Sequence, residues 1–226
     1  MRLRLHTYWR SSASWRVRIG LGLKELDWEP VFVHLLEGGG QQHAPTFRAR
    51  NPMAQVPVLE VEEDDGGVLV LAQSLAILEY LDERWPDRGA PLLPRGNGPA
   101  AAAARARARM LAEIMNAGIQ PLQNLSVTQR LGALGVDTGA WVQDVVGRGL
   151  SALEAVAGDG AFLAGDAPGV ADACLVPQLY SARRFGVDVA PYLRLRAVEA
   201  RCAALPAFVR ARPELQGDAP PASGTA

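Results

Sequence analysis

A stretch rich in proline and glycine near residue 90 divides this chain into two parts with different hydrophobic patterns. Before it, short runs that alternate apolar and polar residues, as strands do, are interleaved with helix-like segments. After it only helix-like segments follow, at residues 100–115, 139–156, 171–185, 193–202 and 207–211. We therefore predict an α/β domain at residues 1–86, a linker at 87–99, an all-α domain at 100–216 and a disordered tail at 217–226.

The first part contains strand-like runs at residues 3–7, 29–35, 58–61 and 68–71, a helix at 75–85, and a short helix or irregular segment at 42–50. Residues 15–26 fit two structures. Every second residue from Trp15 to Leu23 is apolar, as in a strand, whereas Trp15, Ile19 and Leu23 also share one helical stripe. The serines just before this segment favour a helix, because serine caps the first backbone N–H groups.

Composition and charge exclude several classes of protein. The net charge of −1 produces no field that would hold nucleic acid or an anionic membrane. The chain begins without an apolar signal segment and has no run of about 18 apolar residues, so we expect a cytoplasmic protein that does not enter a membrane. Cys174 and Cys202 lie in apolar helical segments and are expected to be buried thiols. The three histidines are isolated, so we expect no metal site.

The residues at 9–19 carry the clearest chemical signal. Ser11, Ser12 and Ser14 stand where a helix begins, and a helix N-terminus offers spare N–H donors and a partial positive charge to an anion. Arg10 adds a planar cation that suits carboxylates. The alternative is an ordinary capped helix with solvated arginines. Ser74 is a plausible cap for the helix at 75–85, and that position needs no ligand either.

Several stretches, spread over both parts of the chain, resemble the zeta-class glutathione transferases. This class includes maleylacetoacetate isomerase and the similar maleylpyruvate isomerases. The stretches that carry the resemblance are SSASWRVRI at 11–19, GQQ at 40–42, NPMAQVP at 51–57, QSLAILEYL at 73–81, GIQPLQNLSV at 118–127, ADACLVPQ at 171–178 and RRFGVD at 183–188.

The resemblance implies a thioredoxin-like N-terminal domain, a helical C-terminal domain and a cytosolic homodimer that uses glutathione. Pro57 would be a cis proline, and the backbone of Val56 would pair with the cysteinyl part of glutathione. Gln73 and Ser74 would hold the γ-glutamyl carboxylate. Further contacts to glutathione or substrate would come from Gln42, Gln123 and Asn124.

The implied reaction is isomerisation of maleylacetoacetate to fumarylacetoacetate, in aromatic amino acid catabolism, by reversible addition of the glutathione thiolate. Ser11 would donate a hydrogen bond to that sulfur, with Ser12 as second choice. Arg10 and Arg184 would bind the substrate carboxylates. Arg183 is expected to be solvated, and Arg16 and Arg18 to be structural or surface groups.

Two other functions remain open. Maleylpyruvate is an alternative substrate, which Arg10 and the residues at 182–185 favour. A glutathione-binding module without useful catalysis is the other, although the intact Ser11, Gln73 and Ser74 argue against it. Two positions depart from the class. Ala13 stands where animal members carry cysteine, and Gly169 stands where a Ser or Thr helix cap is usual, a change that we expect to cost little.

Overall fold

The computed structural model describes residues 1–221, and the contacts divide the chain into two compact units. The first unit comprises Met1–Leu92 together with the described residues from Pro206 onward, and the second comprises Leu93–Leu205. These units differ from the boundaries predicted above, because the segment after Pro206 rejoins the α/β part instead of closing the helical one. Residues 222–226 of the predicted tail lie outside the described residues.

The first unit is built on a mixed sheet of four strands. They are β1 (Arg2–Thr7), β2 (Glu29–Phe32), β3 (Val58–Glu62) and β4 (Val68–Ala72), in the order β2-β1-β3-β4. β1 runs parallel to β2 and antiparallel to β3, which is antiparallel to β4. All four predicted strands are confirmed, although β2 ends earlier than the sequence suggested. The thioredoxin-like fold is therefore also confirmed.

Three helices accompany this sheet: α1 (Ser12–Leu23), α2 (Pro45–Arg48) and α3 (Ser74–Arg84). The ambiguous segment is a helix, as the serines suggested. Nearly every residue from Ser14 to Leu23 is buried, so α1 is surrounded by protein on all sides. Apolar residues therefore occur around the whole helix, and their alternation in the sequence does not indicate a strand. α3 approaches α1 so closely that a Cβ at Gly20 would lie 2.1 Å from a Leu78 methyl carbon, which explains the glycine.

The second unit is all helical, as predicted, with α4 (Gly98–Asn116), α5 (Leu125–Ala133), α6 (Thr138–Val156), α7 (Val170–Arg184) and α8 (Leu193–Cys202). α4, α6 and α7 pack against one another, and Leu111, Val146 and Leu175 are fully buried. Pro177 lies inside α7. No residue of α5 is buried, and this helix was not predicted from the sequence.

The N-terminus of α7 is capped by a buried carboxylate. Asp172 accepts hydrogen bonds from the N–H groups of Gly169 and Leu163, each at 2.9 Å. Burial is the main cause that raises the pKa of Asp172 to about 6. Because Asp172 performs the capping and glycine tolerates the cap position, the departure at Gly169 leaves the helix start intact.

A last helix, α9 (Pro206–Arg210), packs against α1 within the first unit. Beyond it, the Asp218 carboxylate accepts a hydrogen bond from the Trp9 N–H at 2.9 Å. Asp218 is therefore part of the first unit, which differs from the disordered tail that we predicted from residue 217. Cys174 and Cys202 are buried and form no disulfide, as predicted. Among the described residues, every helix is too short or too polar to cross a bilayer.

Candidate active site

The register of the sheet gathers the predicted site segments of the first unit at one edge. Thr7 at the end of β1 lies opposite Phe32 at the end of β2. His6 lies opposite Val58, the first residue of β3, and Val58 lies opposite Ala72, the last residue of β4. The segments that follow β1, β2 and β4, and the one that precedes β3, therefore leave the same edge. They carry Arg10, Ser11 and Ser12, then Gln42, then Val56 and Pro57, then Gln73 and Ser74.

Ser11, one of the three serines that favoured a helix start here, is the N-cap of α1. Its hydroxyl oxygen accepts a hydrogen bond from the Ser14 N–H at 3.2 Å. Accepting this bond leaves the Ser11 hydroxyl proton available, because a hydroxyl is both a donor and an acceptor. Ser12 is the first residue of the helix, and both serines are partly exposed. The N-terminus of α1, with these two serines, therefore lies at the same sheet edge. A helix N-terminus with hydroxyl donors stabilises a thiolate or a carboxylate.

The Val56–Pro57 peptide bond is cis, as the resemblance implied. Within the described residues, no hydrogen bond involves the backbone N–H or C=O of Val56. An extended peptide can therefore pair with this residue as a strand pairs with its neighbour. Asn51 organises the preceding loop, since its side chain donates to the Gln55 carbonyl at 2.7 Å and accepts from the Met53 N–H at 3.1 Å. Asn51 was not among the predicted site residues.

The N-terminus of α3 contains a buried positive charge. Gln73, with φ of 72°, occupies the cap position, so the expectation that Ser74 is the cap was wrong by one residue. Ser74 is 4% exposed, and its hydroxyl accepts a hydrogen bond from Nη1 of Arg16 at 3.3 Å. Arg16 is fully buried, so it is a structural group rather than a surface one. Its charge adds to the field of the helix N-terminus and favours a bound carboxylate.

Gln42 presents a polar atom that is not satisfied within the described residues. Its side chain is 7% exposed, and Nε2 donates to the Leu35 carbonyl at 3.3 Å, whereas Oε1 is buried without a partner. A Cβ at Gly40 would lie 2.5 Å from Nε2 of Gln42, and φ of Gly40 is 101°. Glycine at position 40 thus leaves room for the amide, and the unsatisfied oxygen is suited to accept a hydrogen bond from a ligand.

Arg10 lies in the turn between β1 and α1, where its guanidinium stacks 5.0 Å from the centroid of the Trp9 ring. Both side chains are partly exposed. A cation held over an aromatic face keeps its donors in one plane and available to a carboxylate.

Two predicted ligand residues of the second unit have different surroundings. Asn124 is the N-cap of α5 and accepts a hydrogen bond from the Ser126 N–H at 3.1 Å. Gln123 is 8% exposed, and its amide exchanges two hydrogen bonds with the amide of Gln178, at 3.3 and 3.1 Å. These bonds engage both ends of the Gln123 amide, so its geometry is that of a supporting residue.

The two adjacent arginines at the end of α7 differ in their partners. Arg183 forms a two-bond pair with the Glu199 carboxylate, at 2.6 and 2.5 Å, and this neutralises its charge. The Arg184 guanidinium stacks 4.1 Å from the centroid of the Phe185 ring, and its side chain is exposed. That Arg184, rather than Arg183, meets an anionic substrate stays a prediction.

A thioredoxin-like unit that brings a serine-capped helix, a cis proline and a charged helix N-terminus to one sheet edge is characteristic of proteins that bind glutathione. The sequence models of the glutathione S-transferase N-terminal and C-terminal domains match residues 10–84 and 99–211. The chain belongs to the glutathione S-transferase family.

The relatives identify the class within this family. Maleylacetoacetate isomerase of Pseudomonas aeruginosa is 43% identical over 97% of this chain and 100% of its own length. The crystal structure of maleylacetoacetate isomerase from Anaeromyxobacter dehalogenans with bound GSH is 50% identical, with a TM-score of 0.86 and coverage of 97% and 98%. A second structure of that protein contains dicarboxyethyl glutathione and citrate. Maleyl pyruvate isomerase, described as a bacterial zeta-class enzyme, is 39% identical, with a TM-score of 0.85 and coverage of 96% and 100%. The resemblance to the zeta class is therefore confirmed.

Proposed function

We propose that this protein is a glutathione-dependent isomerase that converts maleylacetoacetate to fumarylacetoacetate. The observation that carries the proposal is the sheet edge at which the Ser11 turn, the cis Val56–Pro57 bond and the α3 N-terminus lie together. The curated relatives that cover nearly the whole chain support the substrate, because the one from Pseudomonas aeruginosa and several others bear the name maleylacetoacetate isomerase.

Glutathione fits the polar groups of this edge. The unpaired backbone of Val56 suits the cysteinyl part, and the unsatisfied oxygen of Gln42 suits an N–H of the tripeptide. Gln73 and Ser74, above the buried Arg16, suit the γ-glutamyl carboxylate. The relative from Anaeromyxobacter binds GSH in its active site, which supports this assignment.

The protein contributes orientation and charge to the reaction. Bound glutathione supplies a thiolate that adds reversibly to the cis double bond, so that the bond can rotate before the thiolate leaves. The Ser11 hydroxyl and the N-terminus of α1 lower the pKa of that thiol below its ordinary value of about 8.5. Ser12 is the second candidate for this donor. Arg10 and Arg184 bind the substrate carboxylates. Asn124 contacts the bound ligands, and Gln123 next to it is a supporting residue.

A direct assay tests the proposal. Purified protein is given maleylacetoacetate or maleylpyruvate, each with excess glutathione and each without it, and the fumaryl product is measured. We expect fast conversion of maleylacetoacetate that depends on glutathione. If neither acid is converted although glutathione binds, the isomerase assignment is wrong and a binding module remains.

Maleylpyruvate is the second candidate substrate. Arg10 and the arginines at the end of α7 favour it, and the structure of a maleyl pyruvate isomerase is nearly as similar in fold as that of the maleylacetoacetate isomerase. Maleylpyruvate is smaller than maleylacetoacetate, so the two acids should fit the site differently and differ in kcat/KM. The ratio of the two kcat/KM values therefore decides between the substrates.

We also propose that the protein is a homodimer of the cytoplasm. The outermost strand of the sheet supports dimerisation, because β4 exposes Val68, Leu69 and Val70 at 53%, 39% and 39%. An edge strand with three consecutive exposed apolar residues is suited to be covered by another surface.

A further inference from the structure

We propose that Arg18 and Asp218 form a clasp that positions the turn at residues 8–11, and with it the Ser11 hydroxyl. This inference rests on the proposed function, because it assigns the Ser11 turn to the binding of the glutathione thiol. It adds two positioning residues, one of them in the segment after α9. Neither is expected to touch glutathione or substrate.

The Arg18 guanidinium joins the turn to the C-terminal segment. Arg18 is 2% exposed, and its three nitrogens donate to four acceptors. Nη2 donates to the Trp9 carbonyl at 2.9 Å, and Nη1 donates to the Thr7 hydroxyl at 3.0 Å and to the Tyr8 carbonyl at 3.4 Å. Nε donates to the Ala211 carbonyl, beyond α9, at 3.2 Å.

One of these acceptors connects Arg18 to the predicted catalytic serine. The Tyr8 carbonyl also accepts a hydrogen bond from the Ser11 N–H at 3.0 Å. The backbone of Ser11 is thereby tied to the same oxygen that Arg18 binds. A movement of the Tyr8 carbonyl would therefore move the cap of α1 as well.

Asp218 holds the turn from its other side. Its Oδ2 accepts the hydrogen bond from the Trp9 N–H, so Trp9 is bound through its N–H by Asp218 and through its carbonyl by Arg18. Oδ1 of Asp218 is buried without a partner in the described residues. Burial lowers the pKa of Arg18 to about 10 and the negative charge of Asp218 opposes this effect, so Arg18 stays charged at neutral pH.

The geometry of the clasp requires arginine. The acceptors lie around one planar guanidinium, and a single ammonium group does not reach all of them. Arg18→Lys therefore keeps the positive charge but loses the planar set of guanidinium donors. Asp218→Ala removes the acceptor for the Trp9 N–H, whereas Asp218→Asn keeps an oxygen that can accept the same bond.

Arg194 offers a matched control in the second unit. Its guanidinium also donates to three backbone carbonyls, those of Gly158, Gly160 and Phe162. Arg194→Lys loses a similar set of guanidinium hydrogen bonds but leaves the turn at 8–11 unchanged. A general loss of stability would therefore affect this variant as well.

The test has two readouts. The first is amide hydrogen exchange at Trp9 and Ser11 without added ligand, which we expect to be about tenfold faster in Arg18→Lys and Asp218→Ala and unchanged in Asp218→Asn and Arg194→Lys. The second is the pH titration of thiolate absorbance with saturating glutathione. Here we expect the pKa of the bound thiol to rise by about one unit in Arg18→Lys, with about tenfold lower kcat/KM.

The outcomes separate this inference from the proposed function. If Arg18→Lys folds and both amides exchange as in the wild type, the clasp does not exist. If exchange accelerates but the thiol titration is unchanged, the clasp is structural and the positioning role is wrong. If the wild type shows no glutathione thiolate at all, the proposed function fails first, and faster exchange then demonstrates only the clasp.

Discussion

The hydroxyl of Ser11 accepts one hydrogen bond from its own helix and retains a proton for a ligand. Ser11→Ala removes both interactions. We expect the protein to lose about 1 kcal/mol of stability, the value of an N-cap. We also expect the pKa of bound glutathione to return toward about 8.5. Equilibrium unfolding and the ultraviolet absorbance of the thiolate measure these effects.

Ser12→Ala is the matched control, because Ser12 lies one residue further and does not cap the helix. We expect this variant to keep the thiolate and the stability. If the thiolate is lost in Ser12→Ala and kept in Ser11→Ala, Ser12 is the donor.

Neighbouring arginines provide the second test at this scale. A charge-assisted contact to a carboxylate contributes about 1.5–3 kcal/mol. Arg184→Ala should therefore reduce kcat/KM for the maleyl acid by about tenfold or more, with little change in the affinity for glutathione. Arg183 is already paired with Glu199, so Arg183→Ala should leave kcat/KM nearly unchanged. Steady-state kinetics measure both, and equal effects in the two variants would contradict the assignment of Arg184.

At the scale of elements, the sequence predicted most strands and helices, and its errors have physical causes. α5 was missed because its 9 residues make only about two and a half turns, too few for a helical repeat to stand out in the sequence. The cap of α3 was predicted one residue too late because Gln73 adopts a positive φ. A positive φ is rare outside glycine, and a pattern of polar residues does not indicate it.

The buried arginines were the least predictable part of the candidate site. Arg16 and Arg18 lie within an apolar helix, and local sequence does not tell whether such a group is solvated or paired inside. Their acceptors are Ser74 for Arg16, and for Arg18 the turn before α1 and Ala211. These contacts join residues that are up to 193 positions apart, and only tertiary structure brings them together.

The cap of α7 gives a pH-dependent prediction. Burial raises the pKa of Asp172 to about 6, so between about pH 4 and pH 6 the native state keeps a proton that the unfolded chain has released. The native state binds more protons in this range, so its stability falls as pH rises. Asp172→Asn lacks this titration. We expect the stability of the wild type to fall relative to the variant by about 2 kcal/mol from pH 4 to pH 7.

Denaturant unfolding of both proteins across this range measures the effect. The Asp172→Asn substitution removes one charged acceptor, so the variant differs from the wild type at every pH, and only the change with pH tests the argument. Stability curves that run parallel from pH 4 to pH 7 would show that the carboxylate is ionised throughout.

At the scale of the whole molecule, the exposed apolar residues of the outermost strand, β4, predict association. We expect the wild type to sediment at twice the chain mass of 24.1 kDa. Val70→Arg places a charge on β4 and should shift the protein toward the monomer. Leu193→Arg is the control, since Leu193 is 69% exposed in the second unit. A monomeric wild type, or a Val70→Arg variant that sediments like the wild type, would contradict dimerisation through β4.

Both cysteines of the chain are buried, and burial raises the pKa of the Cys202 thiol far above its ordinary range. Position 13, in the first turn of α1, carries alanine. The native protein therefore has no accessible thiol of its own. Thiol-directed oxidants and alkylating reagents should inactivate such an enzyme only by consuming the tripeptide, and a fresh supply of it should restore full turnover without any reductant.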